Sequence, residues 1–498
     1  MNVNPITRLD YPDPDVIRVE DTYYMVSTTM HFMPGCEILQ SFDLVHWEHV
    51  TYVYETLDHT DAQQLKSGQN IYGQGMWAAS LRYHEGRFYI CFVANDTRKT
   101  YLYTSEKIDG PWKKQLIEGF YHDGSLLFDE DGRNYIVYGN DEIWITELNE
   151  DLTAPKKDGL HRLLVSDHKN PELGYEGSHI QKINGYYYIF LVHSLRDRWM
   201  RTEACFYSDS LEGEFTGGDV LCDDRGYCGQ GVAQGGIVDT PDGKWYAMLF
   251  QDSGAVGRIP ILVPVTWKDY FPFFGQNGHV PEEIEVHSTR PGYIYQPLVG
   301  SDDFCNGLLP RWQFNHDPDP QYYHLDALQG TYTITTREVC TELTQAVNTL
   351  TQRMSYPSCA AEVTVDASAL KEGDVAGLCA FQGCYAAVGI TKHHGKYEVL
   401  MLDKKEDGIL DMTEGTVVES HQMDFRLEAD FCNMKDEARC YYRVNKGDWL
   451  PIGTVHKLYF KLDHFTGCRF GLFCYAAEET GGSACFRDFK YYDVDEIS

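Results

Sequence analysis

The sequence predicts an all-β protein in two parts: a five-bladed β-propeller over residues 1–295 and an antiparallel β-sandwich over 301–498. Three observations carry this prediction. One segment of constant design occurs five times in the first 250 residues. Aromatic, alternating runs bounded by hairpin turns fill the rest, and long helical periodicity is scarce.

The five copies begin at Asp13 (D-P-D-V-I-R-V-E-D-T-Y-Y), Trp77 (W-A-A-S-L-R-Y-H-E-G-R-F-Y), Asp123 (D-G-S-L-L-F-D-E-D-G-R-N-Y), Glu176 (E-G-S-H-I-Q-K-I-N-G-Y-Y-Y) and Gln234 (Q-G-G-I-V-D-T-P-D-G-K-W-Y). Each has a key residue, small residues, an apolar run, a charged or glycine turn and an aromatic strand. The copies start 46 to 64 residues apart, the spacing of propeller blades. The runs YYMVSTT, FYICFVAN, NYIVYGN, YYYIFLVH and WYAMLFQD read as second strands, with N-G and D-G turns as hairpin signals. Further pieces such as TYLYTSEKI, EIWITELN and ACFYSDS complete four strands per blade. The stretch V-H-S-T-R-P-G-Y-I-Y-Q-P-L-V-G, residues 286–300, reads as a linker. Beyond Ser301 come short, regularly spaced strands: TYTIT, AAEVTVD, AGLCAF, YAAVGIT, YEVLML, LYFKLD and RFGLFCY, with FRDFKYYDVDEIS as a closing strand.

At 498 residues the chain exceeds one ordinary core, so two domains are expected. A formal charge of −33 excludes nucleic acid and an anionic membrane surface as expected partners, since both need a basic face. No apolar run is long enough to span a bilayer. No positive, then apolar, leader opens the sequence, so a cytoplasmic location is expected. The 15 cysteines form no C-x-x-C pair and several sit in strands, which reads as buried reduced thiols. A homo-oligomer is compatible with the sequence.

Three of the five key residues are acids: Asp13, Asp123 and Glu176. At equivalent points of different blades they would converge near one axis and raise one another's pKa. Splitting such values is how a site obtains a general acid and a general base at one pH, and glycoside hydrolysis needs such a pair. Duller readings stand beside this one. Asp13, between two prolines, suits a turn, and Asp123 before Gly124 suits a turn or cap; Glu176 is a poor turn former. Trp77 is a core residue or a sugar-stacking platform. Arg258, in G-R-I-P, is a surface arginine or a partner for the acids. His31 and His122 adjoin key segments, and lone histidines are usually satisfied polar residues. No spacing matches a metal-ligand motif.

With Y-P-D-P-D-V, G-M-W-A-A-S-L, H-D-G-S-L-L-F-D-E-D-G-R-N-Y and Y-E-G-S-H-I-Q-K-I-N-G-Y-Y-Y, the chain resembles glycoside hydrolase family 43. The region from Ser301, with N-T-L-T-Q-R and G-D-V-A-G-L, resembles the concanavalin A-like sandwich of that family's β-xylosidases. The resemblance implies an inverting, exo-acting β-xylosidase on xylo- or arabinoxylo-oligosaccharides, with α-L-arabinofuranosidase as the alternative or second activity. It implies Asp13 as general base, Glu176 as general acid and Asp123 as the residue that orients and tunes the acid. Trp77, Arg258, Met30 and Phe32 would contact the sugar. Asp15 stands where many relatives have Ser, and Gly124 where many have Pro. Relatives often carry His at the phase of Gln234, facing a central calcium or water cluster. No cofactor is expected to be required, and calcium at Gln234 is left open. Two other readings remain: a sugar-binding propeller without catalysis, and the related retaining fructan-cleaving propellers, whose first acid is a nucleophile.

Overall fold

The computed structural model describes residues 2–493, so the last five residues of the predicted closing strand lie outside the described residues. Each of the five repeats builds one antiparallel blade, over residues 15–54, 76–117, 125–166, 176–221 and 232–274. The predicted aromatic runs form the second strands, Thr22–Val26, Arg87–Ala94, Asn134–Asn140, Tyr186–Ser194 and Trp245–Asp252. The innermost strands are Asp15–Val19, Met76–His84, Ser125–Phe128, Glu176–Ile183 and, in the last blade, two pieces, Val232–Ala233 and Ile237–Asp239. Apolar side chains interlock between neighbouring blades, as Val26, Ile38, Leu81 and Phe92 do between the first two. The N-terminal segment closes the ring: Ile6 and Tyr11 donate backbone N–H groups to Pro260 and Arg258 of the last blade. The Asn4 side chain clasps both backbone groups of Leu262. Among the described residues helix is confined to four 3-10 turns.

Residues 286–300 do not hang free between the domains. Thr289 donates to the Phe42 carbonyl, Gln296 to the Glu48 carboxylate at 2.8 Å, and Tyr293 bonds Glu48. The Pro- and Gly-bearing stretch is thus a strap along the first blade.

The second part is a sandwich of an eight-stranded and a seven-stranded antiparallel sheet. All but one of the predicted strands form. LYFKLD is the exception: after strand Leu450–Lys457 the chain leaves the sheet, with Leu458 donating to the Asp436 carbonyl, and residues 458–468 make an irregular loop. Its alternating pattern suits a strand, but Phe460 turns to the cavity beside the propeller, and Leu462 lines the same cavity while staying largely exposed. The two cores merge, because Ala255, Val256 and Ile259 of the propeller pack into the sandwich core.

One buried ion pair fastens the halves. Arg353 of the sandwich meets Glu37 at 2.9 Å and donates to the Asp10 carbonyl at 2.9 Å. Burial pushes the Glu37 carboxyl up, but Arg353 and His49 outweigh it and hold the group at about 2. Stability from Glu37 is therefore present above the ordinary carboxylate value and fades as pH falls toward 2. Arg353→Met strands the carboxylate and is expected to cost about 3–5 kcal/mol in urea unfolding, much of it recovered by adding Glu37→Gln. An unchanged urea midpoint would contradict this role.

Candidate active site

At the head of every inner strand the chain makes a left-handed turn at or just after the key residue. Asp13, Asp123 and Gln234 have φ of 52°, 47° and 64°, and in the other two blades the turn falls on Ala78 (32°) and Gly177 (67°). In those two blades a β-bulge follows directly, between Trp77 and Ser80 and between Glu176 and His179. Such turns and bulges re-aim a side chain out of the sheet, here toward the funnel mouth. Gly177 is obligatory: besides its positive φ, a Cβ there would meet Gln234 Cγ at 2.7 Å.

These turns bring Asp13, Asp123 and Glu176 into one charged cluster. Asp13 is buried and accepts from Arg258 Nη1 at 2.9 Å and from Thr28 Oγ1 at 2.5 Å. Thr28 is itself fixed by the Ala78 N–H at 2.8 Å. Asp123, also buried, accepts from the Gly177 N–H at 3.0 Å, so the third blade grips the strand that carries Glu176. Glu176 is partly exposed and accepts from Asn140 Nδ2 at 2.7 Å.

His122 completes the cluster. Its Nε2 stands 3.6 Å from Asp123 and 3.5 Å from Glu176, a charge contact too long for a hydrogen bond. The Asp123 carboxylate, reinforced by Glu176 and Asp13 against the opposing effect of burial, raises the imidazole to about 9. Burial raises Asp123, which Glu176 and Asp13 push further and His122 pulls back, leaving it at about 6. Between those values Asp123 is ionised beside an imidazolium. Because the folded His122 lies above its ordinary value of 6.5, its contribution to stability is complete below pH 6.5 and is lost as pH rises through about 9.

Trp77 and Glu176 line a cavity of about 550 Å³ together with Trp199 and Arg201 of the fourth blade. The sandwich loop supplies the opposite wall through Phe460, Leu462 and Phe465. Phe465 sits 5.5 Å from Trp77, ring to ring, and the Arg258 guanidinium lies 4.2 Å over Phe465. Arg201 is anchored by Asp252 at 2.8 Å. Met30 and Phe32 lie elsewhere. Both are buried; Met30 pairs with Met76 through backbone bonds, and Phe32 lies under Arg469 of the sandwich at 3.4 Å, so they support the domain junction and do not line the cavity. His31 is buried there too, against Phe32, Tyr72 and His464.

Several residues here gave little signal in the sequence. Asp15 lies within the first repeat and His122 just before the third, but both read as ordinary polar positions. Thr28, Asn140, Arg201 and Asp252 sit at the ends of second and third strands, which the comparison of key residues does not reach.

Calcium does not fit the axis. Asp15, two residues past Asp13, has one oxygen taken by the Leu81 N–H and Arg82 Nη1, both at 2.8 Å, and the other facing His179 Nδ1 at 3.2 Å. A cation already neutralises it. Gln234 lies against Gly177, and its backbone N–H donates to Glu203 at 2.7 Å. The group His122, Asp123 and Glu176 has donor atoms within 4.8 Å of one another, and its carboxylates favour on the imidazole a proton that an ion would have to displace. Metal binding needs that imidazole neutral.

A five-bladed propeller that clusters carboxylates from three blades, one of them opening on a walled cavity, is the architecture of a glycoside hydrolase. The profile of Glycosyl hydrolases family 43 matches residues 3–272, and that of the Beta xylosidase C-terminal Concanavalin A-like domain matches 301–492. The chain belongs to glycosyl hydrolase family 43. It is 27% identical to a Beta-xylosidase of Formosa agariphila, over 99% of this chain and 89% of that protein. It is 24% identical to a Non-reducing end alpha-L-arabinofuranosidase of Bacteroides ovatus, over 82% and 79%. Among solved structures, a Bifunctional GH43-CE of Bacteroides eggerthii is 42% identical with a TM-score of 0.92, covering 98% of this chain; the chain spans 63% of that protein's length.

Proposed function

We propose that the protein is an inverting, exo-acting β-xylosidase that removes terminal xylose from xylo-oligosaccharides. Asp13 takes a proton from water, whose oxygen bonds to the anomeric carbon. The glycosidic C–O bond breaks, and Glu176 gives its proton to the departing oxygen. Asp123, paired with His122, holds the strand of Glu176 through Gly177 and sets the local charge. Trp77 offers its face to the sugar, and Arg258 fixes the Asp13 carboxylate in place. The observation that carries this reading is the junction itself: Asp123 and Glu176 meet at His122, Asp13 is held by Arg258, and Glu176 opens on a cavity walled by the second domain. A cavity walled by the sandwich loop suits a chain end better than the middle of a polymer.

α-L-arabinofuranose is the second reading, supported by the name of the Bacteroides ovatus relative. Hydrolysis of nitrophenyl β-xyloside and nitrophenyl α-arabinofuranoside side by side decides between them; a higher kcat/KM on the arabinofuranoside would replace the first reading. A cytoplasmic location is part of the proposal, in keeping with the absence of disulfides among the described residues, which include all 15 cysteines.

The imidazolium gives a pH signature. His122→Asn removes the charge that holds Asp123 down, so the acidic limb of kcat/KM is expected to move to higher pH. Identical pH–rate profiles for the variant and the native enzyme would remove His122 from the account.

A further inference from the structure

The propeller axis holds a cation belonging to the chain. Arg82, on the inner strand of the second blade, extends its guanidinium across the axis. Nη1 meets Asp15 of the first blade at 2.8 Å, Nη2 meets Ser125 Oγ of the third at 2.7 Å, and Nε donates to the Leu126 carbonyl at 2.9 Å. Nη2 also reaches the Ile180 carbonyl of the fourth blade at 3.2 Å. The fifth blade closes on the same point: a Cβ on Gly236 would stand 3.2 Å from Asp15 Oδ1 and 3.3 Å from His179 Nδ1. Asp15 is fully buried. Burial alone would raise it, but Arg82 and His179 bring it down to about 2.

The position of this hub along the chain matters as much as its bonds. Asp15 lies two residues beyond Asp13, Ser125 two beyond Asp123, and His179 three beyond Glu176. Each strand that carries an acid is therefore tied to Arg82 two to four residues beyond that acid, at Asp15, at Ser125 and at the Ile180 carbonyl. We propose that the Arg82 guanidinium is the axial cation of this propeller, doing the work of a metal ion there, and that with Asp15 and His179 it positions the three carboxylates. A planar fork with five N–H groups can serve acceptors on several strands at once; a lysine ammonium, with three donors on one atom, cannot match that spread. The positioning half rests on the catalytic roles proposed above, whereas the axial-cation half stands without them.

The test has two arms. In the first, native protein dialysed against EDTA is examined for bound calcium, melting temperature and turnover. No stoichiometric metal is expected, and no change in melting temperature or kcat on chelation or on return of calcium. A fall that calcium restores overturns the axial-cation assignment. In the second, Arg82→Lys, which keeps the charge but loses the fork, is measured well below its melting temperature. Its kcat is expected to fall about 10- to 100-fold with KM little changed, as small misplacements of catalytic groups do. A lowered melting temperature with native kcat and KM would make the hub purely structural and overturn the positioning role. Should the protein prove not to hydrolyse xylosides at all, the chelation and melting results still decide the first half.

Discussion

Glu176→Gln is expected to lower kcat on xylobiose by about 10²–10⁴-fold with KM nearly unchanged. The glutamine keeps an oxygen for Asn140 Nδ2, which now holds Glu176 at 2.7 Å, so the local geometry should survive. What disappears is the proton for the leaving oxygen. A sugar alkoxide is a poor leaving group and needs that proton, whereas nitrophenolate leaves well without it. The loss should therefore be much smaller on nitrophenyl β-xyloside than on xylobiose. Parallel measurement of kcat and KM on the two substrates reads the difference directly. Equal losses on both would mean that Glu176 does not act as the acid. Retained binding without turnover in the native protein would instead favour a sugar-binding propeller.

Asp13→Asn should cost a similar factor, about 10²–10⁴, but with the opposite dependence on the leaving group. Activation of water is required whatever departs, so nitrophenyl β-xyloside and xylobiose should suffer alike. The substitution also deprives the buried Arg258 of its carboxylate at 2.9 Å. Some stability will be lost as well, because a buried cation without its partner is costly. Turnover must therefore be compared at a temperature where circular dichroism shows both proteins folded. A variant that loses xylobiose activity but keeps nitrophenyl xyloside activity would exchange the roles of Asp13 and Glu176.

The propeller was legible in the sequence because its repeat carries local physics. Each inner strand is followed by a hairpin turn and an aromatic second strand, so the same order of residue types must return in every blade. The acids were legible for the same reason, since their phase in the repeat is the head of the inner strand. The rest of the site is set by contacts between blades and between domains, which leave no local trace. His122 looks like any turn-side histidine until Asp123 and Glu176 close around it at 3.6 and 3.5 Å. LYFKLD has the period of a strand, yet its Phe460 and Leu462 line the cavity. Met30 and Phe32 follow the first blade's motif closely enough to suggest the pocket, but the sandwich arrives over them with Arg469 and turns that face into an interface. Asp15, a mere departure from relatives when read in sequence, is the anion of the axial hub.

In the proposed reaction Asp13 activates water and does not itself attack the sugar. Proton NMR of native enzyme acting on a β-xyloside, recorded before mutarotation, tests it most directly. The first-formed product is expected to be α-xylose; β-xylose appearing first would show retention of configuration and make Asp13 a nucleophile.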